Sequence, residues 1–303
     1  MTRDLLSLLD LDADRIKKIL MRAMFLKKAR QQRRQPQTLR GRNLAMIFEK
    51  PSTRTKVTFE LAIKEMGGES VYLDSFSSQL GRGETYGDTG RVLSRYVHGI
   101  VMRTHGQKNL ETLAEAASVP VINALSDLYH PCQILTDIMT IQEEKTKIGK
   151  CRGSYVGDGN NIANTWITAA IVLGFELRIA TPKGYEPSAM ILQKIGMGKS
   201  IRLTHDPAEA VAQADVINTD TWFSMGQELT EDKRKAFEPY QVNQRLLQRA
   251  KKDAIVLHCL PAHRGEEITN DVMDGPQSRV WDQAENRLHV QKAILEMYLS
   301  GPK

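Results

Sequence analysis

Cysteine is scarce in this sequence: Cys132, Cys151 and Cys259 are the only three in 303 residues, and no two form a CxxC pair. That is too few for a disulfide framework and suits a reducing compartment. No apolar run approaches the roughly 20 residues needed to span a bilayer, so no membrane-spanning helix is expected. The opening stretch MTRDLLSLLDLDADRIKK has one basic residue ahead of a short apolar patch that acids then break. It lacks the pattern of a signal peptide, and a cytoplasmic address is expected. Aromatics are absent from the dense basic run KKARQQRRQ (27–35), and acids lie nearby. The run therefore reads as the solvated end of a helix, and nucleic acid is not an expected partner. The glycines of VGDGNN (156–161) miss the GxGxxG spacing, so a nicotinamide cofactor is not expected either.

What is present is the composition of a soluble globular protein, 41% hydrophobic and 26% charged, with length enough for two domains. The net charge of +6 is a mild basic excess that also fits a pocket for a small acidic substrate. Along the chain, strand and helix patterns alternate. A helix over 12–29 is followed by strand NLAMIF (43–48), helix KVTFELAIKEM stopping at Gly67-Gly68, and strand SVYLD. A helix over 85–98, strand GIVMRT, helix 108–117, strand VPVINA and a helix over 132–144 complete the first half. The polar segment 142–153 reads as a domain junction. Beyond it come strand SYVGD, helix 160–173, strand ELRIAT, helix 187–195, strand SIRLT, helix 207–213 and strand DVINTD. Strands AIVLHCL and RVWD and a final helix from near Gln283 follow. The expected fold class is α/β, with two doubly wound parallel-sheet domains and the active site in the cleft between them. The first domain is expected over 1–142 and the second over 151–282.

In such sheets ligands bind beyond the carboxyl ends of strands. Strand 43–48 leads into Ser52, Thr53, Arg54 and Thr55, which open a helix whose free N–H groups favour an anion. Arg103 ends another strand, and SDLYHPCQ puts His130 and Gln133 at the start of the next helix. Any one of these could be an ordinary cap or surface residue. Together, at one end of three strands, they point to an anion site. In the second half, DTWFSMGQE (220–228) and HCLPAHRGEE (258–267) follow strands and carry Asp220, Ser224 and Cys259. His258 and His263 stand five apart across Pro261, without the spacing of a helical zinc motif or an obvious acidic or thiol partner set. Hydrogen-bonding histidines are expected there, and no metal site.

These segments resemble the aspartate/ornithine transcarbamoylase family from about residue 40 to the C-terminus. The resemblance rests on STRT (52–55), HPCQ (130–133), DTWFSMG (220–226), HCLPAHRGEE (258–267) and AENRLHVQKA (284–293). SMG and HCLP favour ornithine over aspartate as the acceptor. The resemblance implies transfer of a carbamoyl group from carbamoyl phosphate to the side-chain amine of ornithine, giving citrulline and phosphate in arginine metabolism. It implies that Ser52, Thr53, Arg54 and Thr55 bind the phosphate. Arg103, His130 and Gln133 would hold the phosphate and carbamoyl ends, with Arg287 arriving from a C-terminal helix (287–303) that completes the first domain. Gln79 resembles the loop that family members lend to a neighbouring subunit. Asn161, Asp220, Ser224 and Met225 resemble the ornithine-binding set, and Cys259 and Leu260 a loop touching both ligands. Arg103, His130, Asp220 and Cys259 are thereby the candidate catalytic residues. Family members are homotrimers or assemblies of trimers and require no metal or organic cofactor. One position departs from the pattern: relatives read STRTR, and here position 56 is Lys, which keeps the charge and loses the guanidinium fork.

Overall fold

The computed structural model describes residues 3–74, 79–145, 148–195, 200–223 and 230–300. In chain order these form α1 (Ala13–Gln31), β1 (Asn43–Phe48), α2 (Thr53–Glu65), β2 (Glu69–Asp74), α3 (Tyr86–Leu93), β3 (Gly99–Arg103), α4 (Gln107–Ala116), β4 (Val121–Leu125) and α5 (Pro131–Lys145). There follow β5 (Arg152–Val156), α6 (Asn161–Leu173), β6 (Glu176–Ala180), α7 (Ala189–Ile195), β7 (Ile201–Thr204), α8 (Pro207–Val211) and β8 (Val216–Thr219). The remainder is α9 (Glu231–Phe237), α10 (Gln244–Leu247), β9 (Ile255–His258), α11 (Asn270–Met273) and α12 (Val280–Leu299). Two compact units result, residues 1–139 with 286–303, and residues 140–285. No helix of the described residues is long and apolar enough to cross a membrane.

The first unit holds a parallel sheet in the order β2-β1-β3-β4. Every residue of β3 is buried, as expected of a strand covered on both faces. α1 is capped by Asp12, which accepts from the Arg15 N–H, and buries Ile16, Ile19, Leu20, Ala23, Leu26 and Ala29 at helical spacing. α2 is capped by Ser52 and stops where Gly67 turns to φ +88°, a conformation that costs glycine nothing. The chain runs from β1 to β2 on one side, then crosses to β3 on the other. The switch point of this sheet therefore lies between β1 and β3, whose carboxyl ends lead to Ser52 and Arg103.

The second unit has a parallel sheet in the order β7-β6-β5-β8-β9. Its switch point lies between β5 and β8, whose carboxyl ends lead to Gly157 and Asp220. On one face, Val156, Ile217 and Val256 pack with Ala210, Val211, Tyr240 and Val272 in a buried apolar cluster.

Three expected elements come out differently. RVWD (279–282) is not a strand. Ser278, just before it, forms a single bridge with Val256 of β9, and the chain then turns into α12 with Val280 buried and Trp281 59% exposed. Val and Trp favour strands locally, and one bridge is too little pairing to realise that preference. The helix expected over 85–98 ends at Leu93. Ser94 Oγ donates to the Gly90 carbonyl at 2.7 Å and accepts from the Ser118 N–H at 2.9 Å, drawing the chain into a turn. AIVLHCL leaves the sheet after His258, because Leu260 takes a φ of +55° and donates its N–H back to the His258 ring.

Candidate functional site

In the first unit the polar residues beyond β1, β3 and β4 converge. Ser52 Oγ accepts from the Thr55 N–H at 3.3 Å and lies 3.0 Å from Thr55 Oγ1. Arg287, on α12, donates from Nη2 to Thr55 Oγ1 at 2.9 Å and from Nη1 to Gln133 Oε1. Gln133 in turn donates to Asp137 at 2.8 Å. Thr55, Arg103, His130, Gln133 and Arg287 are all buried. Burial, with the Arg287 and Arg103 cations beside it, holds His130 well below the ordinary histidine range. Its imidazole is thus neutral at pH 7, a hydrogen-bonding group among cations.

Arg54 is half-buried in the first turn of α2, and its guanidinium makes no hydrogen bond or ion pair among the described residues. An uncompensated cation beside the positive end of a 13-residue helix is suited to receive an anion. Thr53 is exposed beside it. Lys56 faces away, its Nζ 3.6 Å from the centre of the Tyr72 ring on β2. A cation–π contact of this kind contributes about 0.5–2 kcal/mol. The turn that opens α2 is braced by the Ser52 cap and by Arg287. Gln79 lies apart, exposed on a short 3₁₀ turn.

In the second unit the corresponding cluster is built on α6, β8 and β9. Asn160 caps α6 through Oδ1, which accepts from the Ile162 and Ala163 N–H groups. Its Nδ2 donates to Asp220 Oδ2 at 2.8 Å, while Cys259 Sγ donates to Asp220 Oδ1 at 2.6 Å. The contacts join three loops around one buried carboxylate. Asn161 stands at the first position of α6. Ser224 and Met225 lie outside the described residues.

His258 and Cys259 meet Asp220 in a group with metal-ligand chemistry. Both nitrogens of His258 are nevertheless committed. Nδ1 accepts from the Leu260 N–H at 2.9 Å, so the ring proton sits on Nε2 and is donated to Glu267 Oε1 at 3.0 Å. His258 is a hydrogen-bonding histidine, as expected. Its acidic partner was in plain view nine residues on, but nothing in the spacing singles Glu267 out. These bonds, with that from the His258 N–H to Gln283, hold the Cys259–Leu260 loop in its left-handed turn.

Two features of this site escape the sequence reading. Asn160 carries an ordinary capping signal, a polar residue before an apolar helix, and that signal hides its second bond to Asp220. Gly159 explains part of the glycine run: a Cβ there would lie 2.2 Å from the Glu186 carbonyl carbon and 2.3 Å from Pro187 N. Backbone, not a flexible side chain, blocks it. Gly159→Ala is therefore expected to displace Asn160 and destabilise the protein by about 1–3 kcal/mol, checked by denaturant unfolding.

Comparison with known proteins relates the chain to a family. A model described as the carbamoyl-P binding domain of aspartate/ornithine carbamoyltransferase matches residues 3–143, and one described as the Asp/Orn binding domain matches residues 150–298. An ornithine carbamoyltransferase from Syntrophus aciditrophicus is 51% identical over 303 residues, which cover 99% of this chain and 100% of that protein. The solved ornithine carbamoyltransferase from Pyrococcus furiosus is 51% identical with a TM-score of 0.95, covering 99% of this chain and 98% of that one. A solved anabolic ornithine carbamoyltransferase from Campylobacter jejuni is 40% identical with a TM-score of 0.90, covering 97% and 98% of the two chains.

Proposed function

The chain belongs to the aspartate/ornithine carbamoyltransferase family, and from that premise we propose that it transfers the carbamoyl group of carbamoyl phosphate to the side-chain amine of L-ornithine, releasing L-citrulline and phosphate. The observation that carries this reading is Arg54, a cation with no counter-charge among the described residues at a helix N-terminus. It is supported by the buried Asp220 carboxylate, which offers an ammonium group a partner.

In this reading Ser52, Thr53, Arg54 and Thr55, with the N-terminal amides of α2, bind the phosphate. Arg287 fixes Thr55 and Gln133 and reaches the same anion. Attack on the carbonyl carbon moves negative charge onto the carbonyl oxygen, then onto the departing phosphate. Arg103, neutral His130 and Thr55 are donors already in place for that charge, and fixed donors stabilise it without reorganising. The ornithine side chain arrives protonated, since a free alkyl amine has a pKa of about 10.4. Asp220 and Cys259 orient that ammonium group and aid loss of its proton. Asn161, Ser224 and Met225 recognise the amino-acid head, and Leu260 contacts both ligands. The chemistry draws on the phosphate as leaving group and uses no organic cofactor. We further propose a homotrimer, or an assembly of trimers, in the cytoplasm, with Gln79 lent to a neighbouring subunit's site. We assign carbamoyl phosphate to a domain of residues 1–142 completed by 287–303, and ornithine to one of residues 151–282.

The test is citrulline formation from carbamoyl phosphate, with ornithine, putrescine and aspartate supplied in parallel. Turnover with ornithine alone is expected. No product with saturating ornithine overturns the proposal, and preference for putrescine moves the chain to another acceptor class.

A further inference from the structure

Glu49, the residue after β1, is half-buried, and no ion pair reaches it among the described residues. Its charge is met by three hydrogen-bond donors instead. Oε1 accepts from the Tyr86 hydroxyl at 2.7 Å, and Oε2 accepts from the Thr104 hydroxyl and from the His105 N–H at 3.2 Å. A carboxylate offers acceptors only, and hydrogen bonds to it are roughly twice as strong as neutral ones. Thr104 is fully buried, and the Tyr86 hydroxyl is held in turn by Asn109 Nδ2 at 3.0 Å. A carboxylate so placed is spent on organising its surroundings.

Two of its three donors directly follow Arg103. The Glu49 N–H also donates to the Arg103 carbonyl at 2.9 Å, so one residue grips three successive positions of that strand end. The sheet alone holds them less well. The ladder between β1 and β3 ends at Phe48 with Arg103, and the pairing of β3 with β4 shifts register between Met102 and Arg103. A shift of this kind disrupts the ladder locally and re-aims a side chain. The grip also extends to the next strand end. Thr104 N–H donates to the Leu125 carbonyl at 2.9 Å, and the His105 carbonyl accepts from the Asp127 N–H at 3.0 Å, three residues before His130.

We propose, resting on the carbamoyl-transfer function above, that Glu49 is a positioning residue: through Thr104 and His105 it fixes Arg103 against carbamoyl phosphate. It acts through Arg103 and not on the reacting atoms. A misplacement of about 1 Å in such a group can cost on the order of a hundredfold in rate.

The experiment is steady-state citrulline formation with carbamoyl phosphate varied at saturating ornithine. It compares wild type, Glu49→Gln, Thr104→Val, the double variant and Tyr86→Phe. Glutamine and valine keep the shapes they replace, and a thermal melt checks each fold. In Glu49→Gln and in Thr104→Val, kcat/KM for carbamoyl phosphate should fall on the order of tenfold or more, with KM raised. The double variant should lose little beyond the larger single loss, because both changes break the same bond. Tyr86→Phe keeps the carboxylate and Thr104, and should lose less than Thr104→Val. A purely structural role would lower the active fraction instead, cutting kcat at an unchanged KM. If Glu49→Gln does not fold, Thr104→Val against Tyr86→Phe decides. No turnover in wild type removes the proposed function and the role of Glu49 together. With wild type active, only the role of Glu49 falls if both single variants keep their kcat/KM or lose kcat alone. It falls equally if the losses multiply in the double variant, or if Tyr86→Phe loses as much as Thr104→Val.

Discussion

Arg54→Ala is expected to lower turnover by on the order of a hundred- to a thousandfold while leaving the fold intact. The rate loss follows from the proposed role, a donor to the charge that develops on the phosphate. Survival of the fold follows from what Arg54 does not do. Its guanidinium makes no hydrogen bond or ion pair among the described residues, and alanine is at least as good a helix former at that position. The helix keeps its Ser52 cap, and the Thr58 hydroxyl still bonds the residue-54 carbonyl. Steady-state citrulline formation with both substrates saturating, alongside a thermal melt, tests both halves. Arg54→Lys should recover little, because a single ammonium cannot replace two parallel N–H donors on a phosphate. Near-normal activity in Arg54→Ala would show that the phosphate assignment is wrong.

The second large effect belongs to the other unit. In Asp220→Asn, kcat/KM for ornithine should fall roughly 30- to 1000-fold, corresponding to about 2–4 kcal/mol for removing the charge that a desolvated ammonium group meets. KM for carbamoyl phosphate should change less, since Ser52–Thr55, Arg103, His130 and Gln133 lie on other elements and only the Cys259–Leu260 loop, bonded to Asp220, is shared. The asparagine side chain is nearly isosteric and still offers one oxygen, so α6 and its Asn160 cap should persist, visible as an unchanged melting temperature. Equal shifts in the parameters of both substrates would remove Asp220 from the acceptor site. So would no shift in either.

How much of this could be read from the chain depends on the distance over which each feature is decided. β1 and α2 were legible because their signals are local: a buried apolar run, a hydroxyl cap and a glycine pair. RVWD failed for the same reason, since a two-residue preference was overruled by a sheet edge that offers only one bridge. The placement of Arg54 at a helix N-terminus could be argued from residues 43–67 alone. The bond from Arg287 to Thr55 spans 232 residues and was accessible only through likeness to a family. Glu267 and Gly159 lie within HCLPAHRGEE and VGDGNN, and neither segment reveals what they do. A partner for His258 and a backbone at 2.2 Å are facts of three-dimensional packing that spacing does not encode.

Arg287 has a consequence for how the protein comes into being. It stands 154 residues after Gln133, and the contact closes the first unit only when α12 has docked. A nascent chain that has released residues 3–143 from the ribosome already has the whole sheet and the Ser52–Thr55 loop. It still lacks the guanidinium that bonds both Thr55 and Gln133. The first half can gather its core early, as domains do during synthesis, and its long-range closure comes late. The two bonds from Arg287 to Thr55 and Gln133 therefore form only after the second unit has been made.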